Sequence, residues 1–199
     1  MTKADERVVF ERDVRNALAV IAAQRTAVAP WLKFMELLEG ERNYEDRLME
    51  FEEIAALDSE HVVDWRRPLW AQLAEEFPTE QRVFEGAAEY FIEVLEDSEQ
   101  GSAMLGRLLA QNPQNLTGLR LLVSDGHDGS RTLPDAETAM RTVLEKDPAF
   151  AVFHGLFDYF DDLDQFVQFV PAAIAAIDAN PKPSGYERGL KEQLRALLK

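Results

Sequence analysis

The sequence predicts an all-α chain: a helical-repeat superhelix (α-solenoid) of antiparallel helix pairs, with roughly ten helices. Three observations carry this. Apolar residues recur at helical spacing along most of the chain, and no strand alternation or hairpin dipeptide interrupts them. A helix stop, a proline and a new apolar helix follow one another at Pro78, Pro113, Pro148 and Pro181, at intervals of 35, 35 and 33 residues. Three of these boundaries share a context, an apolar pair and then Asn-Pro or Asp-Pro, in "LLAQNP", "VLEKDP" and "AIDANP". With nine prolines in 199 residues, the shared flanks rather than the spacing alone argue for a repeat.

The elements follow in chain order. The first long helix is expected from about Asp5 to Thr26, with Val14, Leu18, Ile21 and Val28 along its inner face. Pro30 suits the first turn of the next helix, near Trp31 to Leu38, because its missing N–H is one that a first turn leaves unbonded anyway. Gly40 through Asn43 then breaks the chain, and helices are expected near 44–57, 60–76, 80–97, 101–111, 115–124, 134–146, 149–160, 163–179 and 185–198. Pro68 and Pro171, each ten residues before a boundary proline, either kink a helix or begin one. In the last helix Ser184-x-x-Glu187 reads as a capping box. Tyr186, Leu190, Leu194 and Leu197 form one apolar stripe there, and Lys191, Arg195 and Lys199 suit the negative end of its dipole. A helix polar on one face is what a stacked array needs to close its last apolar surface. The chain is thus expected to be one all-α domain, 1–199: N-terminal helices over 1–78, three repeat-like pairs over 79–181, and a capping helix over 182–199.

Several residues match a known repeat. Phe153-x2-Leu156-Phe157-x2-Phe160 has the first-helix spacing Trp-x2-Leu-Gly-x2-Tyr, and Ala136-x3-Met140 the second-helix spacing Ala-x3-Phe. Phe84-x2-Ala87-Ala88-x2-Phe91 and Leu119-x2-Leu122-Val123 match with a one-residue shift, Gly101-x3-Leu105 fits a second helix, and Phe169-x3-Ala173 exchanges large and small. Over about residues 80–181 the chain resembles a degenerate tetratricopeptide repeat. The family's first-helix glycine is absent at the matched positions, so wider packing of the two helices is expected. The resemblance implies a concave face that receives a peptide or partner helix, and a protein-binding role without catalysis. The family's lysine clamp for C-terminal carboxylates does not suit so acidic a chain.

Charge narrows the partner. The net charge is −16, and residues 36–99 hold 20 acids against 5 bases. Such a surface repels nucleic-acid phosphates and attracts basic protein segments. Glu85, Glu89, Glu93 and Glu96 follow at four, four and three along the helix expected at 80–97, with no base between them. Like charges at that spacing repel, so the stripe is a candidate contact for a basic partner. Seven aromatics lie between Phe150 and Phe169; most are expected in the core, with Phe153 and Phe157 the candidates for lining a partner groove. The expected partner is therefore a basic or amphipathic protein segment, with no cofactor. An acidic immunity or antitoxin-type protein that neutralises a basic toxin fits the same features.

The alternative from another class is a metal-dependent enzyme using Asp125, His127, His154 and the acids near them. The loop "SDGHDGSR" (124–131) is a poor calcium loop: His127 takes its third position, and Ala136 stands where the closing glutamate belongs. Its glycines and aspartates fit a helix connector. Asp58-x-x-His61 is a single weak match to a di-metal motif, and no nucleophile-elbow or phosphate-loop pattern occurs. Zero cysteines remove thiol chemistry and disulfides. No apolar run approaches the roughly 20 residues a bilayer span needs. Charges occupy the N-terminus where an export signal would be apolar. A soluble cytoplasmic protein is the expectation.

Overall fold

Each proline boundary proves to be a junction between helices, and the capping side chains show why. In a computed structural model of the chain, residues 3–40, 66–130 and 132–199 are described. The helices expected at 44–57 and at the start of 60–76, the break at 41–43 and the Asp58/His61 pair lie outside them. Among the described residues every regular element is helical and no strand occurs. They are α1 (Lys3–Ala23), α2 (Val28–Gly40), α3 (Arg66–Glu76), α4 (Gln81–Glu89), α5 (Ser98–Gln111), α6 (Leu116–Ser124), α7 (Ala136–Lys146), α8 (Pro148–Phe153), α9 (Val170–Ala179) and α10 (Gly185–Ala196). A π turn (Tyr90–Val94) follows α4, and 3-10 segments occupy Leu156–Tyr159 and Asp164–Phe169.

The sharpest junction is Asp147-Pro148. Asp147 closes α7, donating its backbone N–H to Val143 O, and caps α8, its carboxylate accepting from Phe150 N at 3.0 Å. One extended residue therefore serves two helix ends, and Pro148 follows as the first residue of α8. Asn112 ends α5 and Asn115, two residues beyond Pro113, caps α6 through Gly118 N at 2.9 Å. Asp97 and Asp135 cap α5 and α7 in the same way. The Asp135 carboxyl is held below its ordinary pKa, chiefly by the Thr138 backbone N–H. The capping box at Ser184 is complete: Glu187 N donates to Ser184 Oγ at 3.1 Å, and Ser184 N to Glu187 Oε2 at 2.6 Å.

Two expected helices are broken. The one expected over 149–160 stops at Phe153, because Gly155 turns left-handed (φ 66°) and the chain continues as a 3-10 segment. The one expected over 163–179 is 3-10 as far as Phe169 and α-helical only from Val170, with Pro171 in its first turn. Pro171 thus marks a helix start and not a kink. Pro68 lies inside α3.

The chain divides into two compact units, Met1–Ala87 and Ala88–Lys199, each taken by itself. In the first, α1 packs on α2. Val14, Ile21, Leu32, Phe34, Met35 and Leu38 are buried there, and α3 and α4 add Leu69, Trp70, Leu73, Val83 and Phe84. Leu18 is only partly buried, and Val28 opens α2 instead of closing α1. In the second unit each helix packs chiefly on its sequence neighbours: α5 on α6, α6 on α7, α7 on α8, α8 on α9 and α9 on α10. One apolar core runs through them, from Leu105 and Leu109 through Met140 and Val143 to Ile177, Leu190 and Leu194.

Wide packing is not what the helices show at three glycines. A Cβ at Gly101 would lie 2.4 Å from Ile92 Cγ1, one at Gly118 3.0 Å from Leu108, and one at Gly86 2.4 Å from the indole of Trp70. These glycines stand outside the matched family position and still let helices approach closely. Gly86→Ala is expected to destabilise the protein by about 1–2 kcal/mol, since overpacking against a rigid buried ring outweighs the helix propensity gained. Gly189 in α10 has no atom within 4 Å of its added Cβ. Gly189→Ala is therefore expected to stabilise by roughly 0.5–1 kcal/mol. Urea midpoints of the two variants measure both signs.

Candidate functional site

The acidic stripe is neither continuous nor unrelieved. Glu89 closes α4 and Glu93 lies in the π turn, where Leu95 N reaches back to Tyr90 O and Asp97 N to Phe91 O. This wider winding ends the helix before Glu96, which takes a left-handed backbone (φ 55°) as the chain turns toward the Asp97 cap. Glu96 has thus left the helix that carries the others. Glu85, partly buried on α4, belongs to the first unit.

Glu89 and Glu93 both bond a cation from another helix. Arg120, in the middle of α6, donates from one guanidinium nitrogen to Glu93 Oε1 at 2.6 Å and from the other to Glu89 Oε1. Its side chain is only 14% exposed, whereas the two glutamates keep 44% and 42%. A nearly buried guanidinium spanning two half-exposed carboxylates fixes the π turn against α6 through charge-assisted bonds. The three side chains together carry one net negative charge. The sequence held a signal for Arg120: it is the one charged residue in the apolar run from Leu119 to Val123, one 35-residue interval after Glu85.

The third component comes from the end of α8. The Phe150 and His154 rings lie 4.1 Å apart, and Phe153 meets His154 edge-on at 5.1 Å. Phe153 is 82% exposed, more than any other large hydrophobic side chain among the described residues. Burial lowers the His154 pKa from its ordinary value; the Arg120 charge acts in the same direction, and Glu93 opposes it. His154 therefore lies within electrostatic reach of both Arg120 and Glu93. The π turn, α6 and the C-terminal end of α8 thus bring Glu93, Arg120 and His154 into one another's field.

Phe157 is not part of that surface. It is 2% exposed, packed in the core of the second unit, because the Gly155 turn swings the 3-10 segment inward. Of the two aromatic candidates only Phe153 faces solvent. Among the others, Tyr159 is half-exposed, Phe166 is buried with Phe160 edge-on at 4.8 Å, and Phe150 and Phe169 are partly buried.

The loop residues 124–130 behave as a connector. Gly126 and Gly129 take positive φ, His127 N donates to Leu122 O, and Ala136 N donates to His127 O. These backbone bonds lead the chain from α6 into α7. Among the described residues no group of three or more histidine, aspartate or glutamate side chains comes together to hold a metal ion. Asp125, His127 and His154 thus do not form the cluster that the metal-enzyme alternative requires. Among those residues, too, no helix is long and apolar enough to cross a membrane.

Compared with known proteins, the chain matches no family model, no curated protein sequence and no solved structure.

Proposed function

We propose that the protein is a non-catalytic helical-repeat binding module, and that its second unit receives a basic, amphipathic segment of a protein partner beside Phe153. The observation that carries this is the 82% exposure of Phe153, whose neighbour His154 lies in the field of the net-negative Glu89–Arg120–Glu93 cluster. The exposed ring offers an apolar contact, and the charge of Glu89 and Glu93 favours cationic groups on whatever docks there. Stacking of sequence neighbours from α5 to α10 is what a solenoid of tetratricopeptide type would produce, and it supports that arrangement.

Charge reversal of Glu89 and Glu93 is a poor test, since lysines there would face Arg120 and strain the fold itself. Phe153→Ala and Glu93→Gln avoid this, because the glutamine oxygen still accepts from Arg120. The probe is a synthetic helical peptide of leucine and arginine on opposite faces, compared with its glutamate counterpart. The arginine peptide is expected to bind, and more weakly at high salt, where charges are screened within a few ångströms. Phe153→Ala is expected to weaken it about tenfold, roughly 1.4 kcal/mol, with unchanged thermal stability. Equal binding of both peptides, or full affinity in Phe153→Ala, overturns the reading.

A further inference from the structure

We infer that Phe153, His154 and Glu93 together form a receptor for one arginine side chain of the partner segment, open while His154 is neutral and closed once it is protonated. The inference rests on the binding role proposed above and names both the group recognised and its control.

The geometry supplies each part. The exposed Phe153 ring offers a face on which a guanidinium stacks, and arginine does this better than lysine because its cation is planar and weakly hydrated. His154 holds that ring edge-on at 5.1 Å and is itself held by Phe150 at 4.1 Å, so Phe153 is backed by a second aromatic. Glu93 supplies negative charge from the π turn. Arg120 already donates to it, yet the carboxylate keeps 42% exposure and hence room for a second donor.

Protonation of His154 closes this receptor in two ways. The new imidazolium stands in the field of Arg120 and beside the incoming guanidinium, adding like-charge repulsion to both. It also competes with Arg120 for Glu93, whose charge already acts on it. The charged groups that face His154 are thus Arg120 from α6 and Glu93 from the π turn, with Glu89 on Arg120's other nitrogen. Its own helix α8 carries no charged side chain. Burial and Arg120 hold the imidazole below its ordinary pKa, so it is neutral at pH 7.5. A bound guanidinium lowers that pKa further, and by linkage affinity falls as pH drops through it.

The test uses the full chain and the leucine–arginine peptide at pH 7.5 and 5.5, with His154→Gln as the variant. Wild type is expected to lose about threefold in affinity at the lower pH, the most that an imidazole held below its ordinary value gives there, His154→Gln less than 1.5-fold, and a lysine-for-arginine peptide to bind several-fold more weakly at pH 7.5. The His154 imidazole resonance, followed by NMR, is expected to titrate below the ordinary value and lower still with peptide bound. Peptide binding with no pH dependence, or with the same dependence in His154→Gln, overturns this inference and leaves the binding role standing. No peptide binding at either pH overturns both.

Discussion

Phe157→Ala is expected to cost about 3–5 kcal/mol, a large part of the roughly 5–15 kcal/mol that holds a domain folded. Phe157 is 2% exposed and belongs to the continuous core of the second unit, along with Leu156, Phe166 and Val170. Truncation removes the apolar area buried by the ring and leaves a cavity in a region fixed by the Gly155 turn on one side and the α6 contact on the other. Such a site collapses poorly, which puts the cost toward the upper end. Phe153→Ala, four residues earlier and 82% exposed, is expected to stay within about 0.5 kcal/mol of wild type. Urea unfolding followed by circular dichroism measures both. A comparable loss in the two variants would mean that Phe153 packs against protein, and the proposed contact face would go with it.

Leu194→Asp is expected to have an effect at least as large, by detaching α10. Leu194 is fully buried and Leu190 nearly so, and both join the core against Val170, Ala173 and Ile177 of α9. The substitution loses a leucine's burial, about 2–5 kcal/mol, and leaves a carboxylate without a partner in an apolar layer, an expensive arrangement. The polar ties between α10 and the end of α9 cannot compensate. Lys191 pairs with Asp178, whose carboxylate is half-exposed, and Asn180 donates to Glu187 at 2.9 Å. Surface ties of this kind contribute about 1 kcal/mol or less each. An apolar dye that fluoresces on exposed hydrophobic surface is expected to brighten in Leu194→Asp as the α9 face opens. It should stay dark in Glu192→Ala, whose side chain is 74% exposed. A folded, dye-silent Leu194→Asp would mean that α10 does not close the core.

The local grammar of the chain was legible in its residues. The Asp147-Pro148 junction, the Ser184–Glu187 box, the connector role of Gly126 and Gly129 and the stripe of α10 depend on contacts within a few residues, which spacing alone specifies. The misread stretches share a different cause. The helix expected over 149–160 runs straight through Gly155, yet the left-handed turn there ends α8, and Phe157 beyond it is buried. The π turn at Tyr90–Val94 has no periodic signature, since one widened turn leaves the apolar spacing on both sides almost intact. It is this turn that takes Glu96 off the helix while Glu93 remains bonded to Arg120.

The sequence by itself determined an all-helical chain, its junctions and the identity of its caps, because each is settled by backbone hydrogen bonding and apolar period within one or two turns. Only the tertiary structure decided which charges and rings form a surface. Arg120 stands 27 residues from Glu93, and His154 another 34 from Arg120. Nothing in spacing records that Arg120 of α6 reaches Glu89 and Glu93 and cancels part of the acidic stripe. The same packing leaves Phe153 in water and hides Phe157. Burial is a property of what lies opposite a side chain, and that is fixed by the packing of helices distant in sequence.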